Sequence, residues 1–593
     1  MPPQPNTRIV HAVCTHDCPD SCGILVTVDE LTGRATKLQG DPSHPFTRGF
    51  LCGKVARYLD RVYSPDRLLH PMRRKPGVSK GPLPQGEEAN AFERITWDEA
   101  ISTITTKLKQ IAAEHGPESI LPYSYAGTIG QLGYGSMDRR FFYRLGASQL
   151  NRTICSTAGG EALMDVFGIK LGTAPEDFAR AGLIFAWGAN IHGNNIHLWP
   201  FIEEARRNGA RLIVIDPYRT RTAALADEHL AIHPGTDVLF ALSMMHVIFR
   251  DGLEDTAYLA ECAHGVDELR THALLSQHAP ERAAVITGIP AETITRLARE
   301  YALAGHAGRK PAAIRLNYGI QRNETGGTSV RAVCMLPVIT GSWTQRGGGL
   351  QLSTSGSFPF NSEKLQMPEL MQASPLHRET RTINMIQLGH ALTELGTDGT
   401  APPIKAIFIY NSNAAAVAPD STRVLAGLKR DDLFTVVHDQ FFTDTVDYAD
   451  IVLPATTFLE HKDVIGAYGH LNAQISMPAI APLGEARSNV DLFAALGRAM
   501  GFDEPAFRDD TDTLIEQTLD TPHPWFNGIT KDRLEREGHI PVDLPRNEAG
   551  ESLPFSTSDW YRTPHHRAEL LPVPIFTAPV ESRTGLEGSG KYP

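Results

Sequence analysis

No stretch of this sequence approaches the roughly 18 consecutive apolar residues of a membrane-spanning helix. Nor is there a run of lysine and arginine. The 56 basic side chains are outnumbered by 68 acidic ones, for a net charge of -12. A chain of that sign does not collect nucleic-acid phosphates, so nucleic acid is excluded as a partner. Residues 1–10 carry neither an apolar core nor a twin-arginine pair, and a cytoplasmic location is the expectation that follows. No unit of fixed short period repeats. Cysteine is scarce, with seven in 593 residues. In a reducing compartment those thiols stay free, which argues against a disulfide framework.

The few cysteines are placed unevenly. Cys14, Cys18 and Cys22 are separated by three residues each, and 29 residues then lead to Cys52, followed by Gly53 and Lys54. Three clustered thiolates and one distant thiolate suit an iron–sulfur cluster, which would give the N-terminus an electron-transfer task. Structural zinc is the competing reading, although zinc more often takes two close ligands at each end of its site. A radical-type three-cysteine motif is a further rival, with a shorter last spacing and no need of Cys52.

At 593 residues the length corresponds to about four domain-sized units. Short alternating strands are expected at residues 24–28 and 36–38 within a cysteine module at residues 8–65. A loose Pro/Gly/Lys-rich segment covers residues 75–91. Thr96 and Glu99 form a capping box, so a helix is expected over Trp97–His115, stopping at Gly116-Pro117. Residues 119–125 read as a buried strand. From about residue 180, strand and helix alternate: strand Leu183–Trp187, helix Trp199–Arg207, strand 212–215, and later strand 405–410, helix Ser421–Leu428, strand 434–438. These are βαβ units, which predict parallel sheets with ligands at the carboxyl ends of their strands. Asn and Asp, not a Gly-rich nicotinamide fingerprint, stand where the loops leave those strands. The fold class expected is α/β: a small N-terminal iron–sulfur module followed by two interleaved doubly wound dinucleotide-binding-like domains. Residues 66–145 with 340–500 form the first, and 146–339 the second. Residues 501–593 read as an irregular tail or linker, with a strand-like piece at 570–576.

The ordered set of motifs resembles the molybdopterin oxidoreductase family, which includes formate dehydrogenases, nitrate reductases and dimethyl sulfoxide reductases. The set runs Leu51-Cys52-Gly53-Lys54, Ile95-Thr96-Trp97-Asp98-Glu99-Ala100, Trp187-Gly188-Ala189-Asn190, Ile215-Asp216-Pro217, Pro234-Gly235-Thr236-Asp237, Asn413 with Pro419-Asp420, and Tyr448-Ala449-Asp450-Ile451-Val452-Leu453-Pro454. The resemblance implies a 4Fe-4S cluster on Cys14, Cys18, Cys22 and Cys52. It also implies two molybdopterin guanine dinucleotides holding molybdenum or tungsten. Cys155 is implied as the protein's ligand to that metal, a soft thiolate suited to a sulfur-rich site, with Ser156 as the neighbouring alternative. Lys54 resembles the lysine between cluster and pterin. Trp187, Asn190, Asp216, Gly235 and Asp237 are implied to hold one dinucleotide, Asn413, His438 and Asp439 the other, and Asn151 is implied as a further pterin contact near the metal. For Asp216 and Asp439 the competing reading is a helix cap or turn former. Cys262 and Cys334 read as core.

Two departures stand out. Formate dehydrogenases place a histidine directly after the metal ligand, where this chain has Ser156. The nearest downstream histidines, His192 and His197, lie in loop and helix and read as solvated, so formate oxidation is disfavoured. Arg322 reads as a substrate or pterin contact or as a surface arginine. The resemblance also implies a C-terminal β-barrel that is expected to begin where this sequence stops; a fragment, a truncated gene and a domain supplied by a second chain are the readings left open. The expected activity is two-electron exchange between a small substrate and the cluster, with a ferredoxin-like carrier or electron-transfer subunit as partner. The alternatives are a metal-free electron-transfer or structural subunit of a respiratory complex, and a non-redox hydratase on the same site. Protein purified without oxygen is expected to carry about four irons and one molybdenum or tungsten per chain by elemental mass spectrometry. Zinc in place of iron would overturn the cluster assignment.

Overall fold

Two mainly parallel sheets organise the chain in this computed structural model, which describes residues 6–84, 86–574 and 579. The first has six strands, ordered Phe92–Arg94, Met72–Arg74, Ile451–Pro454, Phe434–Asp439, Ala406–Tyr410 and Ile120–Ser124. The last four run parallel and the first two antiparallel. The second sheet is parallel throughout, in the order Glu228–Leu230, Arg211–Ile215, Leu183–Trp187, Ala312–Leu316 and Gly349–Gln351. The chain builds part of the first sheet, completes the second, and returns to finish the first, so the two lobes interleave. Ile120–Ser124, Leu183–Trp187 and Ala406–Tyr410 are buried at every position. That is why they read as unbroken apolar runs: helices cover a parallel sheet on both faces.

The helix Trp97–His115 starts at the expected box, with the Thr96 hydroxyl accepting from the Glu99 amide and the Glu99 carboxylate accepting from the Thr96 amide. It ends at Gly116, whose φ of 81° lies in the left-handed region. Trp97, Ala100, Ile104, Leu108 and Ile111 form its buried stripe. Helix Asp237–Arg250 is buried at every residue but Arg250, packed between helices Ala291–Leu303 and Gly326–Ile339. A helix apolar all round belongs in such a place. Cys262 and Cys334 are fully buried, as expected of core residues. Among the described residues no helix is long and apolar enough to cross a membrane.

The N-terminal module is a three-stranded antiparallel sheet of Thr7–Val13, Gly23–Asp29 and Ala35–Gly40. Residues 14–22 are its first connection, and the Cys14 amide closes onto the Cys22 carbonyl at 2.9 Å.

Residues beyond 500, read as an irregular tail, carry helices Thr511–Leu519 and Lys531–Glu537. Strand His539–Pro541 joins a sheet with Asn472–Ser476 and Asp463–Gly466. Trp525, Phe526, Trp560 and Tyr561 are buried, and the Tyr561 hydroxyl meets that of Tyr258 at 2.7 Å. The stretch looked structureless because it is secured by isolated aromatic anchors, which have no period to detect. The strand in its last part is Ala568–Glu569, paired with Ala263–His264. Residues 570–574 are irregular, and 575–578 lie outside the described residues.

Arg140 fastens this stretch to the first lobe. Its fully buried guanidinium donates to the carbonyls of Leu365 at 2.8 Å, Lys364 at 3.2 Å and Ala506 at 3.0 Å, and to Asp509 at 2.7 Å and Gln517 at 2.6 Å. Replacing it strands several buried acceptors at once. Arg140→Met is expected to cost about 3–5 kcal/mol, read as a lower urea midpoint. Arg140→Lys should not restore it, because an ammonium cannot reproduce the planar fork.

Candidate active site

The four N-terminal cysteines line one cavity of about 290 Å³ together with Asp17, Lys54, His197, Asn317 and Tyr468. Cys14 and Cys22 arrive from the hairpin, and Cys52 caps the short helix Gly53–Ala56 that carries Lys54. All seven cysteines of the chain are free. No three of the four sulfurs come within 4.8 Å of one another, whereas one zinc ion at Zn–S distances of about 2.3 Å draws its sulfurs to about 3.8 Å. Four thiols lining one cavity suit a cluster, in which each iron takes one thiolate. Burial pushes the Cys14 thiol up to about 12 and those of Cys18 and Cys22 above their ordinary range. Such thiols ionise when a metal takes them.

His197, expected on a solvated surface, is instead fully buried against Cys22. Its Nδ1 lies 2.8 Å from the Asp20 carboxylate and 3.7 Å from the Cys22 sulfur, and its Nε2 reaches the Phe50 carbonyl at 2.8 Å. Asp20 also accepts from the Asn195 amide, and Asn195 accepts from Arg315 Nε at 3.1 Å. Sequence spacing did not reveal this partnership, because 177 residues separate Asp20 from His197.

A second cavity of about 290 Å³ opens at the carboxyl ends of the first sheet's strands. It joins Asn413, His438 and Asp439 with Gln440, Thr456, His461, Arg487 and Asn489, and shares His16 with the cysteine cavity. Asn413 Oδ1 accepts from the Thr445 amide at 3.1 Å and hydroxyl at 2.7 Å, while its Nδ2 donates to Asp444 at 2.8 Å. Burial lowers His438 to about 4 and raises the Asp439 carboxyl. Among the described residues the buried His438 Nδ1, Ser412 Oγ and His461 Nε2 find no hydrogen-bond partner. Unsatisfied polar atoms around a cavity of this size fit a polar ligand such as a dinucleotide.

In the second lobe Trp187 and Asp237 are both buried and bond to each other, with Nε1 donating to Oδ1 at 2.7 Å. Burial raises the Asp237 carboxyl to about 6 against that bond. Asn190 Oδ1 accepts from the Thr222 hydroxyl at 3.0 Å, and Asp216 accepts from the Tyr218 amide at 3.0 Å in a turn. Gly235 has a φ of 76°, and a Cβ there would run into Pro579.

Cys155 sits half-buried in the loop between strand Gln149–Asn151 and helix Thr157–Phe167. Asn151 is exposed at the end of that strand. The second lobe holds the loop: Gln321 Nε2 donates to the Cys155 carbonyl at 2.7 Å, and Arg322 Nη1 to the Ile154 carbonyl at 3.0 Å, with Nη2 3.9 Å from the sulfur. Tyr125 hydrogen-bonds to the thiol. Burial and the charge of Asp17 raise Cys155, opposed by Arg322 and Tyr125. Asp17, adjacent to Cys18, is exposed and lines the cysteine cavity, where partial loss of solvent raises its carboxyl against a hydrogen bond with Tyr468. Asp17, Tyr125, Tyr468 and Gln321 are site residues the sequence did not reveal. Only Asp17 had a signal, its place inside the cysteine run.

The family description "Molybdopterin oxidoreductase" matches residues 67–499, and "Molybdopterin oxidoreductase Fe4S4 domain" matches residues 7–64. The chain is 43% identical to the probable oxidoreductase YoaE of Bacillus subtilis, over 90% of this chain and 74% of that protein. It is 31% identical to the dimethyl sulfoxide reductase DmsA of Haemophilus influenzae, over 84% of this chain and 65% of DmsA. It is 27% identical to the F420-dependent formate dehydrogenase subunit alpha of Methanocaldococcus jannaschii, over 95% and 81%. The fold superposes on acetylene hydratase from Pelobacter acetylenicus with a TM-score of 0.77 at 24% identity, covering 98% of this chain and 81% of that one. The chain belongs to the molybdopterin oxidoreductase family, whose cofactors are a molybdenum or tungsten molybdopterin and a 4Fe-4S cluster in the N-terminal domain.

Proposed function

We propose that the chain exchanges two electrons with a small substrate at a Cys155-ligated molybdenum or tungsten centre, with a ferredoxin-like carrier or electron-transfer subunit as its partner. The observation that carries this reading is His16, which lines both the four-cysteine cavity and the cavity at the strand ends of the first sheet. The cluster site and a dinucleotide site would thus share a wall. Cys14, Cys18, Cys22 and Cys52 would hold the cluster. Asn413, His438 and Asp439 would hold one guanine dinucleotide. Asn190, Asp216 and Gly235 would hold the other, with fully buried Trp187 positioning Asp237, and Asn151 would be a further pterin contact near the metal. When bound, the metal–pterin unit supplies the two-electron exchange and the cluster the single-electron exchange.

The chain's own residues position and protonate. Gln321 and Arg322, 166 and 168 residues further along the chain, fix the Cys155 loop, and the Arg322 cation beside the sulfur stabilises the thiolate form. Lys54 places a cation at the wall of the cysteine cavity. The raised Asp17 carboxyl keeps its proton to higher pH than an ordinary carboxylate, and Tyr468 orients it. Asp17 would thus serve as a proton donor at the wall of the cysteine cavity.

A viologen-linked screen of small oxides and oxoacids, including the dimethyl sulfoxide and formate of the relatives' names, supplies the assay. Cys155→Ala is expected to keep about four irons and to abolish turnover; unchanged turnover sinks the proposal. Asp17→Asn should keep its metals while turnover falls about 100-fold. In the native enzyme the rate should fall as pH rises through the elevated Asp17 pKa, and that limb should vanish in Asp17→Asn.

A further inference from the structure

Three metal-ligating side chains meet far from both cavities, where the C-terminal stretch docks on the second lobe. Among the described residues, His264, His565 and Glu569 alone form a group of three whose ligand atoms lie within 4.8 Å of one another. His264 and Glu569 face each other across the parallel pair Ala263–His264 and Ala568–Glu569, which the Leu570 amide extends by donating to the His264 carbonyl at 2.8 Å. His565 is brought back over Glu569 by a turn in which the Thr563 hydroxyl donates to the Arg567 carbonyl at 2.5 Å and accepts from the Arg567 amide at 3.2 Å.

The two imidazoles stack with centroids 3.8 Å apart and planes 19° apart. Both aim Nδ1 at one carboxylate: His264 at Oε2, 3.0 Å away, and His565 at Oε1, 2.6 Å away. The Glu569 side chain is 10% exposed, against 44% and 52% for the histidines. A buried carboxylate therefore forms the floor, and the imidazoles form a rim open to water. Two neutral imidazole nitrogens and one carboxylate oxygen, with further positions left for solvent, are a donor set for a late divalent ion. Magnesium and calcium prefer oxygen cages and are poorly matched.

We propose that His264, His565 and Glu569 bind a divalent transition-metal ion, with Zn²⁺ the best-matched species, clamping residues 563–570 onto the second lobe. The ion takes the place of the two Nδ1 protons that otherwise bridge to the carboxylate. It joins positions about 300 residues apart in sequence, so it restrains the end of a very long loop. The clamp is separate from the cysteine cavity and from Cys155 and does not depend on the reaction proposed above.

The test uses holoenzyme purified without oxygen, with its cluster and molybdenum or tungsten in place. Equilibrium dialysis against micromolar Zn²⁺ in excess Mg²⁺, followed by elemental counting, should give about one zinc per chain in the native protein. His565→Ala and Glu569→Gln should each weaken that uptake about 100-fold or more without changing iron or molybdenum. Zn²⁺ should raise the thermal midpoint of the native protein and not that of either variant. His565 is half exposed, so its variant is expected to fold, and Glu569→Gln offers a second route that preserves side-chain volume. Equal zinc uptake in native protein and both variants, or no uptake in the native protein, would mean the cluster is a hydrogen-bonded imidazole–carboxylate group only and overturns the proposal.

Discussion

The Asp20 carboxylate is the contact on which the relation between cysteine module and lobes depends. It lies inside the cysteine loop, nearly buried, and takes hydrogen bonds from Asn195 and His197 on the second lobe. Through Asn195 it reaches Arg315, fully buried in the interior strand Ala312–Leu316, which also donates to the carbonyls of Gln351 at 3.0 Å and Leu352 at 3.1 Å. Burial pulls Arg315 down to about 10, an indication of how costly that charge is where it stands. A buried charge is tolerated only with partners of good geometry, and here those partners span two units of the fold. The cysteines consequently have one position relative to the second sheet.

The surroundings of both cavities favour neutral protein groups. Burial holds the Cys14 thiol up and His16 and His438 down, to about 12, 4 and 4. Lys54 stands at the wall of the cysteine cavity as a cation, and the free cysteines take anionic form when metal occupies them. Assembly of the redox centres and consolidation of the fold around them are thereby coupled. The Cys155 loop differs in having an arginine at its sulfur and glutamine at its carbonyl, both from a segment more than 160 residues further along the chain.

The stretch beyond residue 500 extends this logic of long-range fastening. Arg140 gathers acceptors from segments near residues 365, 506 and 517. Gly168, at a φ of 72°, comes so close to the Arg562 backbone that no side chain would fit between them. Together with the stacked histidines over Glu569, these contacts tie residues 501–574 to both lobes without a sheet or helix bundle of their own.

Local chemistry settled a large part of this in advance. The capping box at Thr96, the apolar runs of the central strands and the βαβ alternation are short-range signals, and the elements stand within a residue or so of where those signals put them. Cysteine spacing likewise marked the four thiols, because three of them lie in one hairpin connection. Tertiary structure alone decided what faces those elements. His197 on Cys22, Gln321 and Arg322 on Cys155, and His264 beside His565 and Glu569 are partnerships across more than 150 residues. They arise from how two interleaved sheets close on each other, and no pattern confined to one segment carries that information. The same reason explains why residues 501–574 read as a tail: their burial comes from surfaces that exist only after the lobes have formed.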